Sequence, residues 1–307
     1  MNSNKTILTL LLVIVVLGAA FALQQWLAQR GGQENSMYFE SIEGFAKENI
    51  SEITLAKGDQ ALQARKENEQ WKSDQAFIDA TLMQSLLENL LNPEDMLLIS
   101  QNTQQHASYE VTAENATIAM LKNPSGEKKF YIGSPESGNY YVRIDGTDEV
   151  WGVEEMPSQV FDVTLAQWLD KKLLAVDEQN ITTLVIDKSG NLITLQQRDN
   201  SWFVDGGEQP LDKTSFSDLL MQLESLVATG MIADEQLGDF PTNPSLKLIV
   251  NTQGATPTTI ELFTGKDTIM AKVVDRPGNF EISQSTFDDL NLNRSDLLFA
   301  PSPTPSQ

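Results

Sequence analysis

Histidine, cysteine, paired carboxylates and aromatic rings are the side chains from which this chain would have to build a reactive or ligand-binding site. Only one histidine is present, His106, within Gln104-Gln105-His106-Ala107-Ser108, and cysteine is absent. A thiolate nucleophile, a disulfide framework and a thiolate or polyhistidine metal centre are therefore excluded. His106 has no second histidine with which to share a metal and no G-x-S-x-G elbow beside it, so neither catalysis nor ligation is expected there. Thr264-Gly265-Lys266-Asp267-Thr268 contains the Gly-Lys pair of a phosphate loop. Ile260 stands where the first glycine belongs, however, and Asp267 where a magnesium-binding hydroxyl is needed. A hairpin turn is the expectation at that place.

Carboxylates are abundant, with 43 acidic against 21 basic side chains and a net charge of −22. Asp145-Gly146-Thr147-Asp148-Glu149 offers oxygens to calcium but lacks the D-x-D-x-D-G spacing and the distant glutamate, so it reads as a turn between strands. Asp234-Glu235 with Asp239, and Asp288-Asp289, read as solvated faces or helix caps. A two-carboxylate glycosidase needs its pair about 5–10 Å apart in a cleft, which spacing along a chain does not fix. No catalytic, cofactor-binding or metal-binding residue is expected. Trp71, Trp151 and Trp202 fall at strand positions and are expected in the core. Tyr140 and Tyr141 are adjacent on a strand, so their rings point to opposite faces, and the more exposed of the two is the best candidate for a partner contact.

The elements that position these residues occur twice. Asn49-Ile50-Ser51-Glu52-Ile53-Thr54-Leu55 followed by Lys57-Gly58-Asp59 is a strand-and-hairpin signal, and Asn180-Ile181-Thr182-Thr183-Leu184-Val185-Ile186 followed by Lys188-Ser189-Gly190 repeats it. Trp71 and Trp202 are 131 residues apart, as are Asn49 and Asn180, and Tyr109 and Phe240. After each tryptophan comes an amphipathic helix, capped by Asp79 or Asp212. The first buries Leu82, Met83, Leu86, Leu87 and Leu90; the second buries Phe216, Leu219, Leu220, Leu223 and Leu226. Strands are expected at 117–121, 140–144, 246–250 and 270–274, with glycines at Gly133 and Gly265. Each copy closes with Phe-Asp (Phe161-Asp162, Phe287-Asp288) and a leucine pair (Leu173-Leu174, Leu297-Leu298). The expected fold is α+β, two tandem antiparallel-sheet modules of order β-β-α-β-β-β-β-α at 49–176 and 177–299. A chain of 307 residues has room for about two such domains.

The remaining segments concern location. Residues Ile7–Leu27 carry no charge, and 21 residues at about 1.5 Å each span the roughly 30 Å of a bilayer's hydrocarbon core. Lys5 precedes the run, and Trp26 and Arg30 sit where interfacial anchors would. Residues 1–30 are expected to be an uncleaved anchor with the N-terminus inside. The alternative is a signal peptide cleaved after Ala20-Phe21-Ala22. Residues 31–48 form a linker, and 300–307, with three prolines and no charge, a disordered tail. A chain this acidic is not expected to bind nucleic acid.

The ordered elements Ile50, Ile53, Leu55 and Trp71, the helix after the tryptophan, and Tyr140-Tyr141-Val142-Arg143-Ile144-Asp145-Gly146 resemble a family catalogued as a domain of unknown function. The resemblance covers roughly residues 45–299. Its members are bacterial proteins with one N-terminal membrane helix, encoded beside ABC transporter subunits of the gliding-motility type. It implies a non-enzymatic accessory protein, anchored in the inner membrane with its soluble part periplasmic. Its implied partners are a transporter permease and an extracytoplasmic subunit, with no cofactor. An envelope-glycan or soluble-ligand binding module, and a carboxylate-based hydrolase, are the competing readings. Met270-Ala271-Lys272 replaces the aromatic pair in the second copy, so a Tyr140–Tyr141 surface exists once.

Overall fold

A computed structural model describes residues 36–298 except 137, 200, 208–210 and 212. The chain divides into two compact units. Among the described residues, one comprises 36–73 with Ala80–Trp168, the other Asp74–Asp79 with 169–298. The expected anchor at Ile7–Leu27, the Asp212 cap and the tail at 300–307 lie outside the described residues. Among the described residues no helix is long and apolar enough to cross a membrane.

Unit 1 is an eight-stranded antiparallel sheet: β1 (Glu52–Lys57), β2 (Gln60–Glu67), β3 (Gln70–Lys72), β4 (Met96–Ser100), β5 (Thr117–Asn123), β6 (Gly126–Glu136), β7 (Asn139–Ile144) and β8 (Val150–Val153). Its order is β3-β2-β1-β5-β6-β7-β8-β4. Unit 2 contains β9 (Ile181–Lys188), β10 (Asn191–Arg198), β11 (Ser201–Val204), β12 (Gly230–Met231), β13 (Leu246–Thr252), β14 (Thr258–Thr264), β15 (Ile269–Val273) and β16 (Phe280–Ile282). Its order is β11-β10-β9-β13-β14-β15-β16-β12, the same arrangement strand for strand. The α+β class and two antiparallel sheets are therefore as expected.

Each sheet has two more strands than the sequence suggests, β3 and β4 in one and β11 and β12 in the other. All four lie at sheet edges and run for two to five residues. Segments that short display no periodicity, and their extended form depends on the strand beside them.

Alternation in the longer strands buries one set of side chains. Ile53 and Leu55, Leu62 and Ala64, Ala119 and Leu121, Phe130 and Ile132, and Val142 and Ile144 are all buried. The helix Ala80–Leu91 buries Met83, Leu86, Leu87, Leu90 and Leu91, with Leu82 only half-buried. A helix stripe and an alternating sheet face are the two sides of one core. Asp79 immediately precedes that helix, at the expected cap position. In unit 2 the helix Lys213–Glu224 supplies Phe216, Leu219, Leu220 and Leu223, all buried as expected, and Leu226 is buried just beyond its end. The hairpins turn where glycine permits: Gly58 has φ +57°, and Ser189 and Gly190 have φ +53° and +99°.

The residues before β1 belong to the fold of unit 1. A helical turn at 36–41 places Tyr38 and Ile42 in the core. Tyr38 Oη donates to the Leu90 carbonyl oxygen at 2.8 Å, and its ring meets Trp151 edge-on at 5.5 Å. Unit 1 ends at Trp168, so Leu173 and Leu174 are buried in unit 2, ahead of the 176/177 division expected from the repeat.

Candidate functional site

The tyrosine pair is on opposite faces of β7, and both rings are half-buried. Tyr140 stacks on Phe161 with centroids 6.0 Å apart and planes 7° from parallel. Lys57 Nζ lies 4.9 Å from the centre of the same Phe161 ring and donates to the Phe161 carbonyl oxygen at 3.4 Å. Lys188, 131 residues later, does the matching work in unit 2, donating to the carbonyl oxygens of Asn291 at 3.1 Å and Leu292 at 3.4 Å.

Tyr141 faces a second, smaller core. Val111, Ala116, Tyr131 and Val150 form it, with Ile99, Tyr109, Ile118 and Tyr141 packed against it. The Tyr141 ring lies 4.8 Å from that of Tyr109, and its hydroxyl donates to Glu136 Oε2 at 3.2 Å. Burial, and then the Glu136 charge, push that hydroxyl's pKa up. Arg143 lies 4.2 Å over the Tyr131 ring, and its Nε donates to the Val111 carbonyl oxygen at 3.0 Å. Tyr131 Oη donates to Asp145 Oδ1 at 3.0 Å. The tract from Tyr140 to Asp145 therefore locks the loop before β5 onto the sheet. The structure does not bring its two tyrosines together at one surface.

His106 is part of the same closure. Its Nε2 lies 2.9 Å from the Asp148 carbonyl oxygen, which can only accept, so the proton is on Nε2. Thr264–Thr268 is a hairpin turn, closed by the Gly265 N–H donating to the Thr268 carbonyl oxygen at 2.9 Å. Among the described residues, no group of three or more histidines and carboxylates could hold a metal ion.

A concavity rich in carboxylates lies in unit 1. A cleft of about 410 Å³ is lined on one side by the solvent face of the helix Ala80–Leu91, with Gln84, Glu88 and Asn89. Glu94, Asp95, Glu154 and Glu155 line the other side. Glu88 is paired with Lys47 and accepts from Asn92 Nδ2 at 3.1 Å, and the Lys47 hydrogen bond, then the Asn92 one, hold its carboxyl below the ordinary range. Sequence reasoning does not single out this cleft, because its carboxylates are brought together by the Met96–Val153 pairing of β4 with β8.

A family model described as a domain of unknown function, DUF4340, matches residues 83–244, more than half of the chain. The chain belongs to the DUF4340 family. The DUF4340 match runs from the helix of unit 1 to the loop before β13 of unit 2, so it draws on both sheets. No curated protein and no solved structure matches the chain.

Proposed function

We propose that this DUF4340 protein is a non-enzymatic accessory subunit that works by association. In this reading Ile7–Leu27 anchors it in the bacterial inner membrane. Its two sheet units, copies of one duplicated module, lie on the outer side and dock on the permease and extracytoplasmic subunits of a gliding-motility-type ABC transporter. The observation that carries the reading is the nearness of an uncharged 21-residue run to the first unit. Tyr38, eleven residues after Leu27, is already fully buried in that unit's core. Tethering of that kind raises effective concentration near membrane partners. The transporter as partner rests on the resemblance of the ordered motifs. Tyr140 and Tyr141 are proposed as a contact only through their exposed edges.

A binding module is the second reading, favoured by the polar cleft of about 410 Å³ beside Glu88 and Glu154. Co-purification of the full chain from membranes, with and without the neighbouring transporter-like subunits, separates the two. Recovery in a stable complex is expected. Recovery alone, with a soluble glycan bound in the cleft, would replace the accessory reading with the binding one.

A further inference from the structure

The two sheets end differently at corresponding edges. In unit 2 the terminal strand β12 has 2 residues. The stretch leading into it is crossed by an antiparallel segment of the same unit. Lys172 bridges Val227, the Leu173 N–H donates to the Leu226 carbonyl oxygen at 2.9 Å, and the Ala228 N–H to that of Lys171 at 2.8 Å. In unit 1 the terminal strand β4 has 5 residues, Met96-Leu97-Leu98-Ile99-Ser100, none of them charged. It pairs with β8 on one side, and among the described residues no strand pairs with its other side. The segment preceding β1, where unit 2 supplies its crossing strand, is a helical turn in unit 1. Its Tyr38 is tied to Leu90.

An uncharged strand edge is a template for another strand. Leu97, the second residue of β4, is 63% exposed. The acidic cleft begins where that edge begins. Met96 pairs with Val153, so Glu94, Asp95, Glu154 and Glu155 follow directly from the paired ends and meet Glu88 across the cleft.

We propose that the outer edge of β4 takes an extended segment of a protein partner as an additional antiparallel strand, with the partner's lysine or arginine side chains in the acidic cleft at the Met96 end. This rests on the accessory reading and specifies its docking surface. The crossing segment of unit 2, Lys171-Lys172-Leu173-Leu174, has this chemistry, a basic pair followed by leucines. A second copy of the chain fits less well, since it brings a net charge of −22 and an acidic cleft of its own. In such strand addition main-chain hydrogen bonds supply affinity, and side chains at the ends supply specificity.

The test uses the full chain in detergent and a synthetic peptide with the sequence of residues 168–176. A companion peptide has both lysines replaced by glutamate. Amide hydrogen exchange across 96–100 is the readout. The lysine peptide is expected to slow exchange there, and the glutamate peptide to leave it unchanged. Leu97→Glu, and separately Glu94→Lys with Glu155→Lys, should each weaken the lysine peptide by at least about tenfold while thermal unfolding stays unchanged. No slowing at β4, equal slowing by both peptides, or protection that follows protein concentration without peptide would each overturn the proposal. If the chain co-purifies with transporter-like subunits while the peptide leaves β4 unaffected, the accessory reading stands and the edge proposal falls. Protection by the peptide in a chain that never co-purifies with those subunits overturns the accessory reading alone.

Discussion

Units 1 and 2 share every strand neighbour but not the chemistry laid over the sheet. Unit 1 closes its second face with Tyr109, Tyr131, Tyr141 and Arg143, tied by hydrogen bonds to Val111, Asp145 and Glu136. Unit 2 closes the corresponding face with Ile232, Phe263 and Met270, against which Leu237 and Phe240 pack. Unit 2 instead concentrates its polar closure on Arg276, which is mostly buried between Phe280 and Phe77. Its guanidinium donates to the carbonyl oxygens of Asp170 and Lys172 and pairs with the Asp170 carboxylate at 3.4 Å. The alternating apolar face is common to both because the fold requires it. The other face is closed by a tyrosine-rich cluster in unit 1 and by an aliphatic, phenylalanine and methionine cluster in unit 2.

The tryptophans give the largest expected contrast. Trp71 pairs with Lys66, and Trp202 with Gln197, so the two are equivalent in register. Their burial is not equivalent. Trp71 is 6% exposed, whereas Trp202 is half-buried and rests on Phe216 at 4.6 Å. Trp71→Ala should cost about 3–5 kcal/mol and Trp202→Ala roughly half as much, since less surface returns to water. Chemical denaturation of both variants checks this. Equal losses would mean that Trp202 is as deeply packed as Trp71.

The glycines sharpen the comparison at a smaller scale. A Cβ on Gly133 would sit 2.0 Å from the Tyr109 carbonyl oxygen, and one on Gly265 would sit 2.8 Å from the Phe240 ring and 3.1 Å from the Thr268 carbonyl oxygen. Backbone cannot step aside as a ring edge can. Gly133→Ala is therefore expected to cost about 3 kcal/mol or more, and Gly265→Ala less, about 1 kcal/mol. The two glycines are not register equivalents, although each lies against one of the aromatic pair Tyr109 and Phe240. Gly133 pairs with Tyr141, but the residue paired with Met270 is Phe263.

The smallest expected effect separates the units by pH. All five tyrosines lie in unit 1 and none in unit 2. Burial pushes the Tyr38 hydroxyl well above the ordinary tyrosine value, and Tyr141 is raised too. A group whose pKa rises on folding gives its full stabilisation below the unfolded value of about 10 and loses it as pH climbs beyond that. Unit 1 should therefore weaken above about pH 10 while tyrosine titration leaves unit 2 untouched. Hydrogen exchange followed in the two units separately measures this, and Tyr38→Phe should flatten the alkaline loss in unit 1. A parallel loss in both units would trace the effect to net charge.

Much of this was legible in the residues. The buried faces of β1, β5, β9 and β13 follow from alternation at Ile53 and Leu55 or Leu184 and Ile186, and both long helices from their leucine spacing. Those signals are local, and a period of 2.0 or 3.6 survives in any neighbourhood. Trp71 and Trp202 are likewise matched by sequence offset alone, because the hairpins before them have equal lengths. What the sequence determined is thus the class of fold, the pairing of its two halves and the apolar run at Ile7–Leu27.

Only tertiary structure decided the rest. That β4 and β12 are strands at all depends on β8 and β16 offering them hydrogen bonds. That Tyr38 belongs to the core depends on Leu90 and Trp151 lying within its reach. The acidic cleft and the open β4 edge exist because pairing at Met96 and Val153 gathers Glu88, Glu94, Asp95, Glu154 and Glu155, which stand up to 67 positions apart along the chain. Local sequence fixes which way a side chain points; only chain crossings fix what it points at.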